Sequence, residues 1–170
     1  MEKKAIEQNG RVSKMAVKKA LKTQVGGSHY RRFSPQPIEF FWDFQIPFCY
    51  ANVMKYVLRY KWKNGVEDLR KAGHCLDYAI ERENEQITCR NCEVYALRTL
   101  KSLKIKDVDD FIAKNENELN VFQCNVLNML AGFSEKGDIR YLYDAKIFIA
   151  EQIYRIEILG EKDPLNILMY

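Results

Sequence analysis

The stretch VMKYVLRYKWKNGVEDLRKA, Val53 to Ala72, decides the fold. Its apolar residues recur at helical spacing on both sides of Asn64-Gly65, a dipeptide that tolerates the positive φ with which helices end. The reading is a helix, a tight turn and a second helix. The first helix carries Lys55, Arg59, Lys61 and Lys63 among its apolar residues. Those cations make either a solvated face or a site for an anion.

At 100° per residue from Asn52, Lys55 falls at about 300°, Arg59 at about 340°, Lys63 at about 20° and Tyr56 at about 40°. Val53, Met54, Val57, Leu58 and Tyr60 fill the opposite arc, which Lys61 interrupts. Asn52, Lys55, Arg59 and Lys63 therefore share one narrow polar stripe. Like charges at i and i+4 repel by roughly 0.2–0.5 kcal/mol in an isolated helix, which water tolerates and an anion or a carboxylate offsets. On the following helix Asp68 sits at the margin of the apolar arc of Leu69, Ala72, Leu76, Ala79 and Ile80, beside Cys75. A carboxylate there can face the preceding helix and pair with Lys55 or Arg59, orienting the cations as well as neutralising them; the plainer reading, compatible with this one, is a first-turn acid favoured by the helix dipole. His74 lies on the polar side.

Working outward, 170 residues with 47% apolar and 29% charged composition suit one soluble globular domain with at most a small appendage. No window approaches eighteen uninterrupted apolar residues, so no membrane partner is expected. The N-terminus has charge without an apolar core, so it does not read as a secretory signal, and the expected location is cytoplasmic. Five cysteines then read as free thiols. The net charge of +4 is uneven. Residues 1–24 hold Lys3, Lys4, Arg11, Lys14, Lys18, Lys19 and Lys22 against only Glu2 and Glu7, so the rest of the chain is slightly acidic. Weak nucleic-acid contact, if any, belongs to this basic arm, whose plainer reading is a poorly ordered or loosely helical extension.

The arm ends at Val25-Gly26-Gly27, where Gly, Ser, Pro and Arg give loop chemistry as far as Pro37. Pro37 and Pro47 each suit a helix start. Helices are expected over IEFFWDF, to about Lys63, over Val66–Glu85, Glu93–Leu103, Asp107–Ala113 capped by Asp107, Glu118–Phe133 and Ile139–Leu159, with a tail interrupted by Pro164. No segment alternates with period two, so the fold class is all-α: a compact helical bundle with a flexible basic N-terminal arm. The expected domains are 1–24, 25–86 and 87–170. A shift of 73 positions pairs Val53 with Val126, Met54 with Leu127, Val57 with Leu130, Leu69 with Leu142, Ala72 with Ala145 and Leu76 with Ile149, so the third is open to being a degenerate repeat of the first hairpin. The polar set does not recur: Lys55 meets Asn128, Arg59 meets Gly132 and Asp68 meets Tyr141. Any two amphipathic hairpins would share part of such a frame.

Gly26-Gly27-Ser28-His29-Tyr30 offers backbone freedom, donors and a titratable ring. It is no P-loop, since GxxxxGK[ST] is absent, so phosphate binding would rely on side-chain cations and helix N-termini. Cys89-Arg90-Asn91-Cys92 has metal-ligand spacing, but a tetrahedral site needs two further ligands; Cys75 and Cys124 could supply them, yet both stand at helical positions where a buried thiol is the ordinary reading, so no metal site is expected.

GGSHY, then Gln36-Pro37-Ile38-Glu39-Phe40, then NVMKYVLRYKxKNGxEDLxKA together resemble a small phage and prophage domain family, labelled as of unknown function or as phage nucleotide kinase, over about residues 25–83. The resemblance implies phosphoryl transfer from ATP with Mg²⁺ to a deoxynucleoside monophosphate, without a Walker motif. Lys55, Arg59 and Asp68 then become the candidate catalytic residues. Gly27, His29, Tyr30, Asn52, Tyr56, Lys63 and Lys71 become candidate substrate contacts. Ala51 and His74-Cys75 depart from the family pattern without removing a charge. The expected partner is a nucleotide or another phosphorylated small molecule. Two rivals are a non-catalytic protein that sequesters a nucleotide or cyclic nucleotide, and a DNA-associated regulatory module. Homo-oligomer formation is open. LxxLKIKDVDDFIxKNENEL, within 92–120, is similar to the first helices of the C-terminal domain of the RNA polymerase alpha subunit, although the glycine hairpin of that module is missing after Leu119.

Overall fold

The computed structural model describes residues 20–88, 100 and 102–160, all-α with no strand among them. The CxxC motif, most of the basic arm, most of the Glu93–Leu103 segment and the tail with Pro164 lie outside the described residues. The helices are α1 (Pro37–Asp43), α2 (Phe48–Arg59), α3 (Val66–Thr88), α4 (Ile105–Lys114), α5 (Val121–Lys136) and α6 (Arg140–Glu157). Short 3₁₀ turns at His29–Arg32 and Tyr60–Trp62 complete the set. No helix among the described residues is long and apolar enough to cross a membrane.

Two helical hairpins make the bundle, with α3 against α6 and α2 against α5. One hydrophobic core runs through both, including Val53, Val57, Leu58, Leu69 and Leu76 from the first hairpin and Val126, Leu130, Leu142 and Ile149 from the second. The turn between α2 and α3 uses Gly65 at φ +54°, where a side chain would be strained. The turn between α5 and α6 uses Gly137 at φ +67° in the same way. Pro37 opens α1, while Pro47 stands just before the first residue of α2. Asp107 is not the cap of α4. It lies one turn inside and accepts from the Lys104 N–H at 3.0 Å, an acid satisfying a first-turn donor. The residue that caps α5 is Asn120, which accepts from Gln123 N at 3.0 Å.

The second hairpin begins its helices about where the 73-residue shift places them, and the chemistry at the turn differs. Where the first hairpin has Arg59 and Asp68, the second has Gly132 and Tyr141. A Cβ on Gly132 would stand 2.7 Å from the Tyr141 ring, so the ring lies where a side chain at 132 would be. Packing of a flat ring on bare backbone thus takes the place of an ion pair.

Polar contacts join the hairpins through the core. Gln123 is fully buried on α5. Its Nε2 donates to the carbonyls of Val57 at 2.9 Å and Leu58 at 3.0 Å, in the last turn of α2. Those carbonyls are among the groups that no helix can satisfy internally. Asn120 Nδ2 and Gln152 Nε2 donate to the Tyr60 hydroxyl at 2.8 and 3.2 Å. The second half therefore fixes the end of the helix that carries the cations. Replacing Gln123 with Met keeps its volume and strips two buried acceptors of their donor, so urea unfolding should show a loss of about 1–3 kcal/mol.

Candidate functional site

The stripe on α2 is held by an ion pair across the α2–α3 turn. Arg59 Nη2 donates to Asp68 Oδ1 at 2.8 Å and Arg59 Nε to Oδ2 at 3.0 Å, a bidentate fork. The Asp68 side chain is 0% exposed and that of Arg59 12%. Asn64 adds its side-chain Nδ2 at 3.2 Å and its backbone N–H at 3.4 Å to the carboxylate. Burial alone would raise the Asp68 pKa; the hydrogen bonds and charge of Arg59 outweigh it and hold the carboxyl below its usual range. Arg59 Nη1 also donates to the Tyr30 hydroxyl at 3.3 Å, and its guanidinium lies 4.8 Å from the centre of the Tyr56 ring.

Lys55 takes a different partner. It donates to Asn52 Oδ1 and stacks 4.3 Å over the same Tyr56 ring. Asn52 is buried and its Nδ2 donates to Phe48 O at 2.9 Å, so its amide positions Lys55. Burial, then the charge of Arg59, lowers the Lys55 pKa. Tyr56 is thus a platform beneath two cations.

Beside this array lies a cleft of about 470 Å³. Lys55, Asn52, His29 and Tyr30 line one side, with Gln24 and Gln36. Leu21, Val25, Pro37, Ile38, Phe41, Phe48 and Ala51 make an apolar wall, of which Val25, Ile38 and Phe48 are largely exposed. The loop that carries His29 is anchored from the other half of the chain. Ser34 N donates to Asn115 Oδ1 at 2.7 Å, Arg32 pairs with Glu118 at 3.0 Å, and Phe33 stacks on Phe111.

His29 is buried edge-on against Tyr30, with ring centroids 4.1 Å apart, and its Nε2 has no hydrogen-bond partner among the described residues. Burial, then the nearby charges of Lys63 and Arg59, lowers its pKa below the ordinary 6.5. Gly27, at φ +133°, is required by that ring, because a Cβ there would stand 3.0 Å from His29 Nδ1.

Of the sequence-derived candidates, Lys55, Asn52, His29 and Tyr30 line the cleft. Arg59, Tyr56 and Asp68 stand behind them as a linked set. Lys63 is past the end of α2 and exposed, because the chain tightens into a 3₁₀ turn at Tyr60–Trp62 and leaves the 100° register. Its ammonium still reaches the loop, 3.9 Å from where a Gly26 Cβ would be. The same tightening carries Lys61 out of the core arc to an exposed position against Trp62. Lys71 is not part of the array; it pairs with Glu67 at 3.2 Å on the surface of α3. Asn64 as a carboxylate holder was not anticipated from the sequence, nor was the apolar wall, which α1, the start of α2 and the segment around Leu21 and Val25 build together. Cys49, Cys75 and Cys124 are half-buried free thiols, and no group of metal ligands forms among the described residues.

Two outcomes follow. Arg59→Met leaves a buried carboxylate without its partner and should cost about 3–5 kcal/mol, whereas Arg59→Met with Asp68→Leu should recover most of it; denaturant unfolding of the three proteins checks this. For His29, the folded pKa lies below the unfolded one, so the unfolded chain takes up the proton first. Stability should fall as pH drops below about 6.5, the unfolded value, until the folded value is passed. Melting temperatures between pH 7.5 and 5, in steps of about half a unit, should flatten in His29→Gln relative to wild type.

Residues 22–77 match the model of a family described as a protein of unknown function (DUF3310), about a third of the chain, and the match does not extend over 92–120. No curated protein and no solved structure matches the chain. What the matched segment holds, from Lys22 to Asp77, is most of the cleft's lining, the cations of α2 and the Arg59–Asp68 pair, and similarity to that family is the relationship the comparisons establish.

Proposed function

We propose that the chain binds a nucleotide in the cleft, with the base against the apolar wall and the phosphate at Lys55, and that phosphoryl transfer from ATP to a deoxynucleoside monophosphate is its activity. The observation that carries the binding is the junction of an apolar cleft of about 470 Å³ with a cation held at its edge. The volume falls in the range that encloses one small ligand. Lys55, Arg59 and Lys63 against Asp68 leave two net positive charges on the array at the end of α2, which suits a phosphate dianion. Arg59 spends three of its five N–H donors on Asp68 and Tyr30 and, standing behind Lys55, adds positive charge to that edge of the cleft. The transfer itself is supported by the family resemblance, since phosphoryl transfer depends mostly on positioning and charge stabilisation.

A second reading has one observation in its favour. Among the described residues no carboxylate lines the cleft, and both Asp68 oxygens are engaged by Arg59 and Asn64. The described residues do not make a Mg²⁺ site, so any metal would arrive with ATP. That favours a protein that sequesters a nucleotide without turning it over.

Thermal-shift measurements against deoxynucleoside monophosphates, cyclic nucleotides and triphosphates test the binding. A stabilising hit is expected that disappears in Lys55→Met while the unliganded melting temperature is retained. Arg59 is unsuited to this test because its loss strands the buried carboxylate of Asp68. Turnover in a coupled assay with ATP and Mg²⁺ then supports the kinase, binding without turnover supports sequestration, and no hit across the panel overturns both.

A further inference from the structure

The helix α6 is apolar on two faces. Its inner face carries Leu142, Ala145 and Ile149 into the core. Its outer face carries Tyr143, Ile147, Ala150, Tyr154 and Ile158, which at 100° per residue fall within about 80° of one another. The four large ones are 43%, 61%, 54% and 66% exposed. Surface helices ordinarily carry polar residues opposite their core stripe, and a helix apolar all round is one that is covered.

The chain contains its own control. The 73-residue shift that superimposes the two hairpins pairs Tyr143 with Arg70, Ile147 with His74, Ala150 with Asp77, Tyr154 with Glu81 and Ile158 with Glu85. On α3, therefore, the equivalent outer face is charged or polar throughout. The frame that fills the core is shared, and only on α6 is the outer face apolar.

We propose that this face of α6 is the seam of a parallel two-fold dimer with a second copy of the chain. Tyr143, Ile147, Ala150 and Tyr154 follow the alternating spacing of four and three of a coiled-coil seam, over a helix of 18 residues. The flanking charges choose the partner and its direction. Lys146 lies on one flank, and Glu151 lies on the other, five positions on, which is the offset at which flanking residues meet across a parallel pair. Two copies side by side thus bring each Lys146 to the other's Glu151, twice by symmetry. Within the chain Lys146 touches Asp77 at 2.5 Å and Glu151 holds Arg155 at 2.8 Å. Both are surface pairs that a partner's charge can join, since such contacts are worth little alone. The seam does not rest on the nucleotide reading.

Sedimentation equilibrium of the full chain over a range of concentrations tests the proposal. The expected species has twice the 20.1 kDa chain mass. Ile147→Glu with Tyr154→Glu should reduce it to the chain mass while circular dichroism and melting temperature show the fold retained. Lys146→Glu should weaken the dimer roughly 2- to 5-fold, and adding Glu151→Lys should restore it. A wild-type chain that stays monomeric at every concentration, or a dimer indifferent to Ile147→Glu with Tyr154→Glu, overturns the seam. Failure of the charge exchange to restore the affinity overturns the parallel arrangement.

Discussion

A carboxylate with no exposed surface must have a partner, and in this chain the partner is one guanidinium. Taking an unpaired charge out of water costs several kcal/mol even after relaxation, so Asp68 constrains everything within its reach. It fixes Arg59 as a fork, and Arg59 in turn fixes the Tyr30 hydroxyl and lies on Tyr56. Asn64 closes the turn by giving the same carboxylate two further donors. The pair couples the loop before α1, the end of α2 and the start of α3, three segments that local propensity would leave independent. The second hairpin reaches its own turn without any of this, by laying Tyr141 on Gly132. The pair is therefore unnecessary for making a hairpin of this shape. What it adds is a guanidinium held in place beside the cleft, and Lys55, next along the helix, is held by Asn52 instead.

The second half acts on that array from behind. Gln123 satisfies the last carbonyls of α2, and Asn120 and Gln152 meet at the hydroxyl of Tyr60, where α2 gives way to the 3₁₀ turn. Buried amides of this kind are costly unless satisfied; Gln123 and Asn120 each engage both donor and acceptor, and together they set where one helix ends relative to another. Phe111, Asn115 and Glu118 do the same for the loop that presents His29, through a ring contact, a hydrogen bond and an ion pair.

Much of the fold was legible because it depends on short-range regularities. The 3.6-residue apolar stripe marks α2, α3, α5 and α6, and Pro37, Gly65 and the Asp68 margin position follow from backbone stereochemistry and charge. The projection fails where the helix stops being an α-helix: at Tyr60–Trp62 the rotation per residue changes, and with it the placement of Lys61 and Lys63. The departures at α4 and α5 have a similar origin, since Asp107 and Asn120 each stand near a helix start and only the backbone angles decide which kind of cap each is. The apolar wall was illegible for another reason. Leu21, the pair Ile38 and Phe41, and the pair Phe48 and Ala51 belong to three separate segments, and the helical spacing within each pair does not say that the segments meet. Lys71 entered by family resemblance alone, and it sits with Glu67 on the outside of α3.

The donors that Gln123 sends across to Val57 and Leu58 bear on what kind of unit the segment 22–77 is. As a sequence it is a recognisable block, recurring well enough to define a family. As matter it is unfinished: its principal helix ends in carbonyls that another part of the chain must answer, and Val57 and Leu58 are covered by a core shared with α5. Boundaries of inheritance and boundaries of cooperativity thus fall in different places along this polypeptide. Any other protein that carries the block must bring its own answer to those two carbonyls, from a different helix, a partner or water. How it does so would tell whether the cleft or the bundle was the older part.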